Sequence, residues 1–252
     1  MTEAKLSDIC VVAMADLFRD NGEIMVSPMA PTPAVGARIA KKLYAPELVL
    51  TDGFNKILAD ATPYGVANPD QVIEGWIPFR KVFDVLWWGK RHVVMGATQI
   101  DRYGNQNISC IGDFEQPKVQ LLGVRGAPGN TIYHTTSYWV PRHSKNVFVE
   151  AVDVVSGIGY DRAAKLHPRS RERHEIRQVI SNLGVFDFQT PDNRMRIRSI
   201  HPGVSLDQVR DETGFELVVP ENLATTRLPT DEEIALIAEL DPKGIAAKEV
   251  AS

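Results

Sequence analysis

The apolar residues of the first 95 positions alternate between helical spacing and short strand-like runs. Helical spacing predicts one helix over residues 9–18 and a second over 33–44. Runs of aliphatic and β-branched residues predict strands at 24–26, 47–51 and 92–95. Strands that alternate with helices indicate an α/β fold with a partly parallel sheet, whose ligands usually bind at the carboxyl ends of the strands.

The C-terminal half is richer in strand-like sequence. Segments of high β-propensity span residues 147–155 and 178–188, and Arg alternates with apolar or small residues over 194–200. A capped helix is predicted at 205–213 and an amphipathic helix at 232–240. The two halves therefore predict different proportions of strand and helix.

Chain length bears on how these elements are divided into domains. The chain has 252 residues, which is enough for one large domain or two small ones. We find neither an internal repeat nor a linker that would divide it. Residues 1–252 are therefore predicted to form a single domain, with a frayed tail from about residue 241.

Charge and cysteine content exclude several classes of protein. Lys and Arg number 28 against 32 Asp and Glu, a net charge of −4 that does not suit a partner with a phosphate backbone or a polybasic membrane contact. Cys10, Cys110 and the six histidines show no disulfide or metal-ligand spacing. The apolar run at 9–15 is far shorter than the ~20 residues of a membrane span. We expect a cytoplasmic protein that binds no metal, nucleic acid or membrane.

A cluster of large aromatic residues lies in one helical stretch. Trp76, Phe83, Trp87 and Trp88 fall within thirteen residues of each other. Such a cluster is more typical of a core or a subunit interface than of a surface that stacks on a ligand.

The richest polar segment, residues 96–113, directly follows the strand predicted at 92–95. It gathers Gln99, Asn105 and Asn107 with two aspartates, and begins with Gly96, which lets the backbone approach a ligand closely. Side-chain amides and free backbone N–H groups at a strand end can recognise amides and oxyanions. An alternative interpretation is that the asparagines only stabilise a turn.

Four segments together resemble a known family. They are residues 36–53 (GARIAKKLYAPELVLTDG), 96–113 (GATQIDRYGNQNISCIGD), 123–130 (GVRGAPGN) and 183–215, which begins LGVFDF and ends SIHPGVSLDQVRDETGF. The chain resembles β subunits of family I coenzyme A transferases of the glutaconate type, over about residues 20–220. This resemblance implies a three-layer α/β fold with a largely parallel sheet and a β-rich C-terminal half. It also implies a homologous α subunit across a CoA-ester site.

The sequence departs from the family at the decisive position. The resemblance places the family's nucleophilic glutamate, which carries CoA as a glutamyl thioester, at Thr51. A threonine hydroxyl cannot form the acyl anhydride that begins the transfer of CoA between acids. Asp52 is one residue away, but a shift of one residue along a strand turns a side chain to the opposite face. No catalytic residue is therefore assigned with certainty, and Asp52 remains the alternative nucleophile.

Loss of the nucleophile leaves three hypotheses for function. The pattern is similar to β subunits of transferase-like hydrolases that open a ring of a steroid-derived CoA ester, with the general base in the α subunit. The alternatives are a true CoA transferase and a catalytically silent scaffold. The expected complex is a heterodimer or a dimer of heterodimers that takes an acyl-CoA substrate. No cofactor is expected apart from coenzyme A as part of that substrate. The predicted substrate-binding residues are Thr51, Gly53, Gly96, Gln99, Asn105 and Asn107.

Overall fold

A computed structural model describes residues 4–53, 55–68 and 70–251. The described residues group into two compact units: the first runs to Met95 and resumes at Thr226, and the second comprises Gly96–Thr225. The first unit is therefore discontinuous in sequence. The prediction of a single domain stays a prediction.

Helices and strands are interspersed throughout the described chain. The described helices are α1 (Leu6–Leu17), α2 (Pro31–Leu43), α3 (Phe79–Trp88), α4 (Ala127–Tyr133), α5 (Tyr160–Ala163), α6 (Pro168–Arg171), α7 (Leu206–Asp211), α8 (Asp231–Leu240) and α9 (Ile245–Ala251). The strands are β1 (Met25–Pro28), β2 (Val49–Thr51), β3 (Lys56–Leu58), β4 (Ile73–Trp76), β5 (Arg91–Gly96), β6 (Gln99–Ile100), β7 (Gln106–Asn107), β8 (Cys110–Ile111), β9 (Val119–Gln120), β10 (Thr135–Val140), β11 (Glu175–Ser181), β12 (Gly184–Asp187), β13 (Arg196–Ile200) and β14 (Ala224–Thr225). The predicted α/β class is confirmed.

In the first unit, β1 pairs in parallel with both β5 and β2. The sheet continues through the antiparallel strands β3 and β4. α1 is apolar on most of its surface and has nine buried residues, and it packs against α2. Val11, Ala15, Val35 and Ile39 form a core with residues of the C-terminal helices. The helical spacing near the N-terminus therefore reflects burial of two neighbouring helices.

The predicted frayed tail after residue 241 is wrong, because this segment forms α9. The Asp241 carboxylate accepts hydrogen bonds from the backbone N–H groups of Ile245 and Ala246, both at 2.8 Å. Ala246 is buried, and Glu249 accepts hydrogen bonds from the N–H and hydroxyl of Thr32 at the start of α2. Thr32 and Glu249 lie more than two hundred residues apart, which is why the local pattern did not reveal a docked helix.

In the second unit, β10 pairs in parallel with β11, and β11, β12 and β13 form an antiparallel meander. α7 begins after Ser205, whose hydroxyl accepts a hydrogen bond from the N–H of Gln208, as the predicted capped helix requires. The strand predicted at 147–155 is wrong. That segment makes an isolated bridge between Phe148 and Ile100, and its apolar pattern reflects burial of Phe148 in the core.

None of the helices in the described part of the chain combines the length and apolarity needed to cross a bilayer.

Candidate active site

Thr51 ends β2, at the carboxyl edge of the first unit's sheet. Its side chain is buried, and its hydroxyl donates a hydrogen bond to the carbonyl of Val26 on β1 at 2.8 Å. The same oxygen accepts a hydrogen bond from the N–H of Gly53 at 3.2 Å. A peptide carbonyl is not a base that can remove the hydroxyl proton, so this arrangement does not activate Thr51 as a nucleophile.

Asp52 shapes the turn that follows β2. Its Oδ1 accepts hydrogen bonds from the N–H groups of Asn55 at 2.9 Å and Lys56 at 3.1 Å. Gly53 adopts φ +89°, and a Cβ atom there would lie 3.0 Å from the carbonyl oxygen of Pro28. Glycine is therefore required by both the conformation and the close approach of β1. The local hydrogen bonds of Asp52 give it a structural role at the position next to Thr51.

Arg38 is a charged residue near this edge that the sequence reasoning missed. It is buried on α2, where its guanidinium donates to the carbonyls of Thr62 and Ala34. Burial lowers the pKa of Arg38, and the nearby Tyr64 and Asp52 oppose this effect. The signal in the sequence is an arginine inside the apolar stripe of a helix, next to Ile39.

Asn105 lies at the centre of a buried hydrogen-bond network in the second unit. Its Nδ2 donates to Asp101 and to Asp161, both at 2.9 Å, and its Oδ1 accepts from the N–H of Gly159 at 2.7 Å. Burial raises the pKa of Asp101, while hydrogen bonds from Asn105 and Tyr103 act in the opposite direction. This network ties the turn before β7 to the start of α5.

Gln99 and Asn107 face each other across the β6–β7 hairpin. Asn107 Nδ2 donates to Gln99 Oε1 at 2.7 Å and to the carbonyl of Cys110 at the same distance. Gln99 also donates to the Asp153 carboxylate and accepts from the Asp153 N–H. Both amides are buried and hydrogen-bonded to the chain itself. Their predicted contact with substrate, like that of Asn105, stays a prediction.

Gly96 differs from these amides because it is exposed. A Cβ atom there would meet nothing within 4 Å, although its carbonyl accepts a hydrogen bond from the Gln106 side chain. Of the six predicted substrate-binding residues, Gly53 and Gly96 are accessible, whereas the other four are buried. The structure thus separates two backbone positions that a ligand can reach from four side chains that order their loops.

Arg125 is a second feature that the sequence reasoning missed. It lies in the glycine-rich segment 123–130 with φ +50°, which is unusual for a residue other than glycine. Arg125 and its neighbours Leu122 and Val124 are exposed. Uncommon backbone geometry in an exposed loop is frequent at functional sites, and the flanking glycines are the signal for it in the sequence.

Comparison with known proteins identifies relatives along the whole chain. Residues 86–212 match the family model described as coenzyme A transferase. The chain is 55% identical to the cholesterol ring-cleaving hydrolase IpdB subunit of Mycobacterium tuberculosis, over 98% of each chain. The identity to the corresponding subunit of Rhodococcus jostii is 53%, over 99% of this chain and 98% of that one.

The fold leads to the same relatives. The chain superposes on a chain of the crystal structure of Rhodococcus jostii IpdAB with a TM-score of 0.92, 52% identity and complete coverage of both chains. The predicted resemblance to coenzyme A transferases and the predicted fold are confirmed.

Proposed function

This chain belongs to the coenzyme A transferase family, and from that premise we propose that it is the β-type subunit of a hydrolase that opens a ring of a steroid-derived CoA ester. The observation that carries the proposal is Thr51. It stands where the family's nucleophile is expected, and its hydroxyl is held by the Val26 carbonyl. Full-length identity of 55% to a cholesterol ring-cleaving hydrolase subunit supports the same activity.

The proposed reaction needs a base and an electron sink but no covalent enzyme intermediate. A base of the homologous α subunit takes a proton from water, and the water oxygen bonds to a ring carbonyl carbon. The adjacent carbon–carbon bond then breaks, and its electron pair moves into the neighbouring carbonyl as an enolate, which is finally protonated. The product is a ring-opened CoA ester that carries a new carboxylate.

In this reaction, the role of this chain is to bind the ester and to stabilise the developing negative charge. We assign direct contact to Gly53 and Gly96, since both are accessible to a ligand. The four buried residues Thr51, Gln99, Asn105 and Asn107 position the loops that carry these glycines. No cofactor is required, because coenzyme A enters as part of the substrate. We place the reaction in the cytoplasm and the chain in a heterodimer or a dimer of heterodimers.

An isotope experiment with a chemical trap tests hydrolysis against transfer. The purified complex of this chain with its α-type subunit is given the CoA ester in H₂¹⁸O, and part of the reaction is treated with borohydride. We expect one ¹⁸O atom in the new carboxylate and no reduced side chain at Asp52 by peptide mass spectrometry. A family member with the nucleophilic glutamate is the positive control. A reduced Asp52, or movement of CoA to an added acid, would instead establish a transferase.

A substitution at Gly96 tests whether the chain is a silent scaffold. Because the space around this residue is open, Gly96→Leu should change the free energy of unfolding by less than ~0.5 kcal/mol. If Gly96 borders the ester, kcat/KM should fall by ~10–100-fold, whereas Gly96→Ala should change it by less than ~3-fold. Unchanged kinetics for Gly96→Leu would favour the scaffold.

A further inference from the structure

The peptide between Gly96 and Ala97, where β5 ends, is held by a side chain from the β6–β7 hairpin. The carbonyl of Gly96 accepts a hydrogen bond from Nε2 of Gln106 on β7. The peptide is trans and planar, so the carbonyl of Gly96 and the N–H of Ala97 point in opposite directions. The bond from Gln106 therefore also fixes the direction of the Ala97 N–H, which points away from the Gln106 side chain.

The N–H of Ala97 is a backbone donor that the fold does not use. The nearby N–H groups of Thr98 and Ile100 donate to the carbonyls of Asn107 at 3.1 Å and Val147 at 2.7 Å. The Ala97 N–H, by contrast, has no hydrogen-bond partner in the part of the chain that the structure describes, and Ala97 is only half-buried. It adjoins the exposed Gly96, where a Cβ atom would meet nothing within 4 Å. The backbone at this N–H therefore has room for a ligand.

Gln106 holds the Gly96 carbonyl at the expense of its own hydrogen bonding. Its side chain is fully buried, and its Oε1 has no hydrogen-bond partner among the described residues. An unpaired buried acceptor destabilises a fold, and such an atom in a native protein requires an explanation. A glutamine that only ordered the hairpin would gain nothing from bonding a carbonyl of an exposed residue. Orientation of the 96–97 peptide accounts for both observations.

The backbone around Gln106 is itself fixed. Its N–H donates to the carbonyl of Gly157 at 2.9 Å, and its carbonyl accepts from the N–H of Ser156 at 2.8 Å. A Cβ atom at Gly157 would lie 2.9 Å from Gln106 Oε1, so glycine at this position leaves the space that the side chain occupies. The side chain that orients the 96–97 peptide is therefore held in place before any ligand binds.

We propose that the Ala97 N–H is an oxyanion donor for the ring-opening reaction and that Gln106 is its positioning residue, an inference that rests on the proposed function. When the carbon–carbon bond breaks, its electron pair moves onto a carbonyl oxygen, and the Ala97 N–H donates a hydrogen bond to that oxygen. The peptide keeps its proton throughout. A neutral donor that is already oriented stabilises the developing charge without reorganisation. The side-chain amides of Gln99 and Asn107 already donate to other groups of the chain.

Steady-state kinetics of the complex with the α-type subunit tests the role of Gln106. Gln106→Met keeps the length of the side chain but removes the donor, so kcat should fall by ~10–100-fold while KM changes by less than ~3-fold. Because the unpaired acceptor is removed as well, the midpoint of thermal unfolding should shift by less than ~4 °C. The matched control is Gln116→Met, at an exposed glutamine, which should leave kcat and KM unchanged. An unchanged kcat in Gln106→Met would overturn the proposal.

A carboxyl group at the same position makes the effect depend on pH. In Gln106→Glu only the protonated carboxyl can donate to the Gly96 carbonyl, and burial raises the pKa of a carboxyl group. The kcat of this variant, divided by that of the unaltered complex, should therefore rise as the pH falls. Gln116→Glu adds the same group at an exposed position and should show a constant ratio. A constant ratio in Gln106→Glu as well would overturn the proposal.

Isotope labelling observes the donor in the unaltered complex, which covers the case in which the variants do not assemble. Gly–Ala pairs occur in the sequence at 36–37, 96–97 and 126–127. A chain with ¹³C-carbonyl glycine and ¹⁵N-alanine therefore gives one HNCO cross-peak for each pair. The probe is the CoA ester with its scissile ring ketone reduced to an alcohol, which cannot be cleaved. At saturation it should move the amide proton signal of Ala97 downfield and leave that of the buried Ala37 in place.

The same spectra separate the failure of this proposal from that of the proposed function. An Ala97 signal that stays in place when the probe is bound would overturn the donor role. If the Ala97 signal moves but the complex does not hydrolyse the intact ester, the result counts against the proposed function alone. In Gln106→Met the probe should shift the Ala97 signal less than in the unaltered complex. An equal shift would overturn the role of Gln106.

Discussion

The two compact units differ in the polar side chains that they bury and in the aromatic side chains that they expose. The second unit buries side-chain amides and four histidines and satisfies much of this polarity with its own carboxylates, hydroxyls and backbone groups. The first unit has an apolar helical core but leaves aromatic side chains on its surface. The second unit therefore adds a network of internal hydrogen bonds to its apolar core, whereas the core of the first unit is formed mainly by apolar packing of its helices.

The strongest test of this contrast removes the centre of the second unit's network. Asn105→Ala removes the side-chain donor to Oδ2 of the buried Asp101 carboxylate and the acceptor of the Gly159 N–H, and should lower the free energy of unfolding by about 3 kcal/mol. The backbone N–H groups of Tyr103 and Asn105 still donate to the Asp101 carboxylate in this variant. Urea denaturation of the complex measures this loss. The exposed Gln116→Ala is the control and should change stability by less than ~0.5 kcal/mol. A loss below ~1 kcal/mol for Asn105→Ala would mean that the network is not what orders this segment.

Acid should affect the second unit through its buried histidines. Burial lowers the pKa of His143 to about 3, between Ser181 and Thr213 and stacked on Phe148. In the unfolded chain His143 has a pKa of ~6.5 and becomes protonated below that pH, whereas in the folded chain it stays neutral. The free energy of unfolding therefore falls as pH drops below ~6.5. From pH 7 to 5 this one residue should account for a loss of about 2 kcal/mol.

The pH dependence, rather than the stability at pH 7, identifies His143 as the cause. His143→Gln should reduce the slope of unfolding free energy against pH between 6.5 and 5, whatever its effect at neutral pH. Gln116→Ala, at an exposed residue without a titratable side chain, is the control and should leave the slope unchanged. An unaltered slope in His143→Gln would assign the acid sensitivity to other groups.

The docking of α9 shows that the first unit also uses polar contacts. Glu249→Ala removes the acceptor for the Thr32 N–H and hydroxyl and should cost about 1–2 kcal/mol. Glu239→Ala, which breaks an exposed ion pair with Lys42, should cost less than ~0.5 kcal/mol in the same denaturation experiment. Equal effects would show that α9 contributes nothing through this cap.

The smallest expected effect is at Thr51. Thr51→Val keeps the shape but removes the hydrogen bond to Val26, which should cost about 1 kcal/mol of stability and leave kcat within ~10-fold. Thr51→Ser keeps the hydroxyl and serves as the control. A fall in kcat beyond ~10³-fold for the valine variant alone would make Thr51 a direct participant in the reaction.

Elements with a strong local pattern could be predicted from the sequence, and those built from distant partners could not. The spacing in α1 and α2 and the Ser205 cap lie within a few residues, so their prediction succeeded. α9 depends on Thr32, more than two hundred residues away, and the segment around Phe148 is ordered by Ile100. Local sequence contains no information about such contacts.

The same limit applies to the candidate site. Glycines and amides after a strand indicated where to search, and Gly96 does lie exposed at the end of β5. The side chain of Asn105 is hydrogen-bonded to Asp161, and that of Gln99 to Asp153. In each pair the two residues lie more than fifty positions apart. Residue types at a strand end therefore predicted a polar segment but not whether its side chains remain available to a ligand.

The discontinuity of the first unit has a consequence for synthesis on the ribosome. α1 and α2 emerge early, but Leu240 and Ala246, which complete the core around Val11 and Ile39, follow about two hundred residues later. Synthesis proceeds at about 5–20 residues per second, so the apolar surface of the first two helices stays exposed for roughly 10–40 s before α8 and α9 are made. The continuous second unit can be complete before then. Nascent chains should consequently need chaperone protection for the portion made first, and truncation before α8 should trap them there.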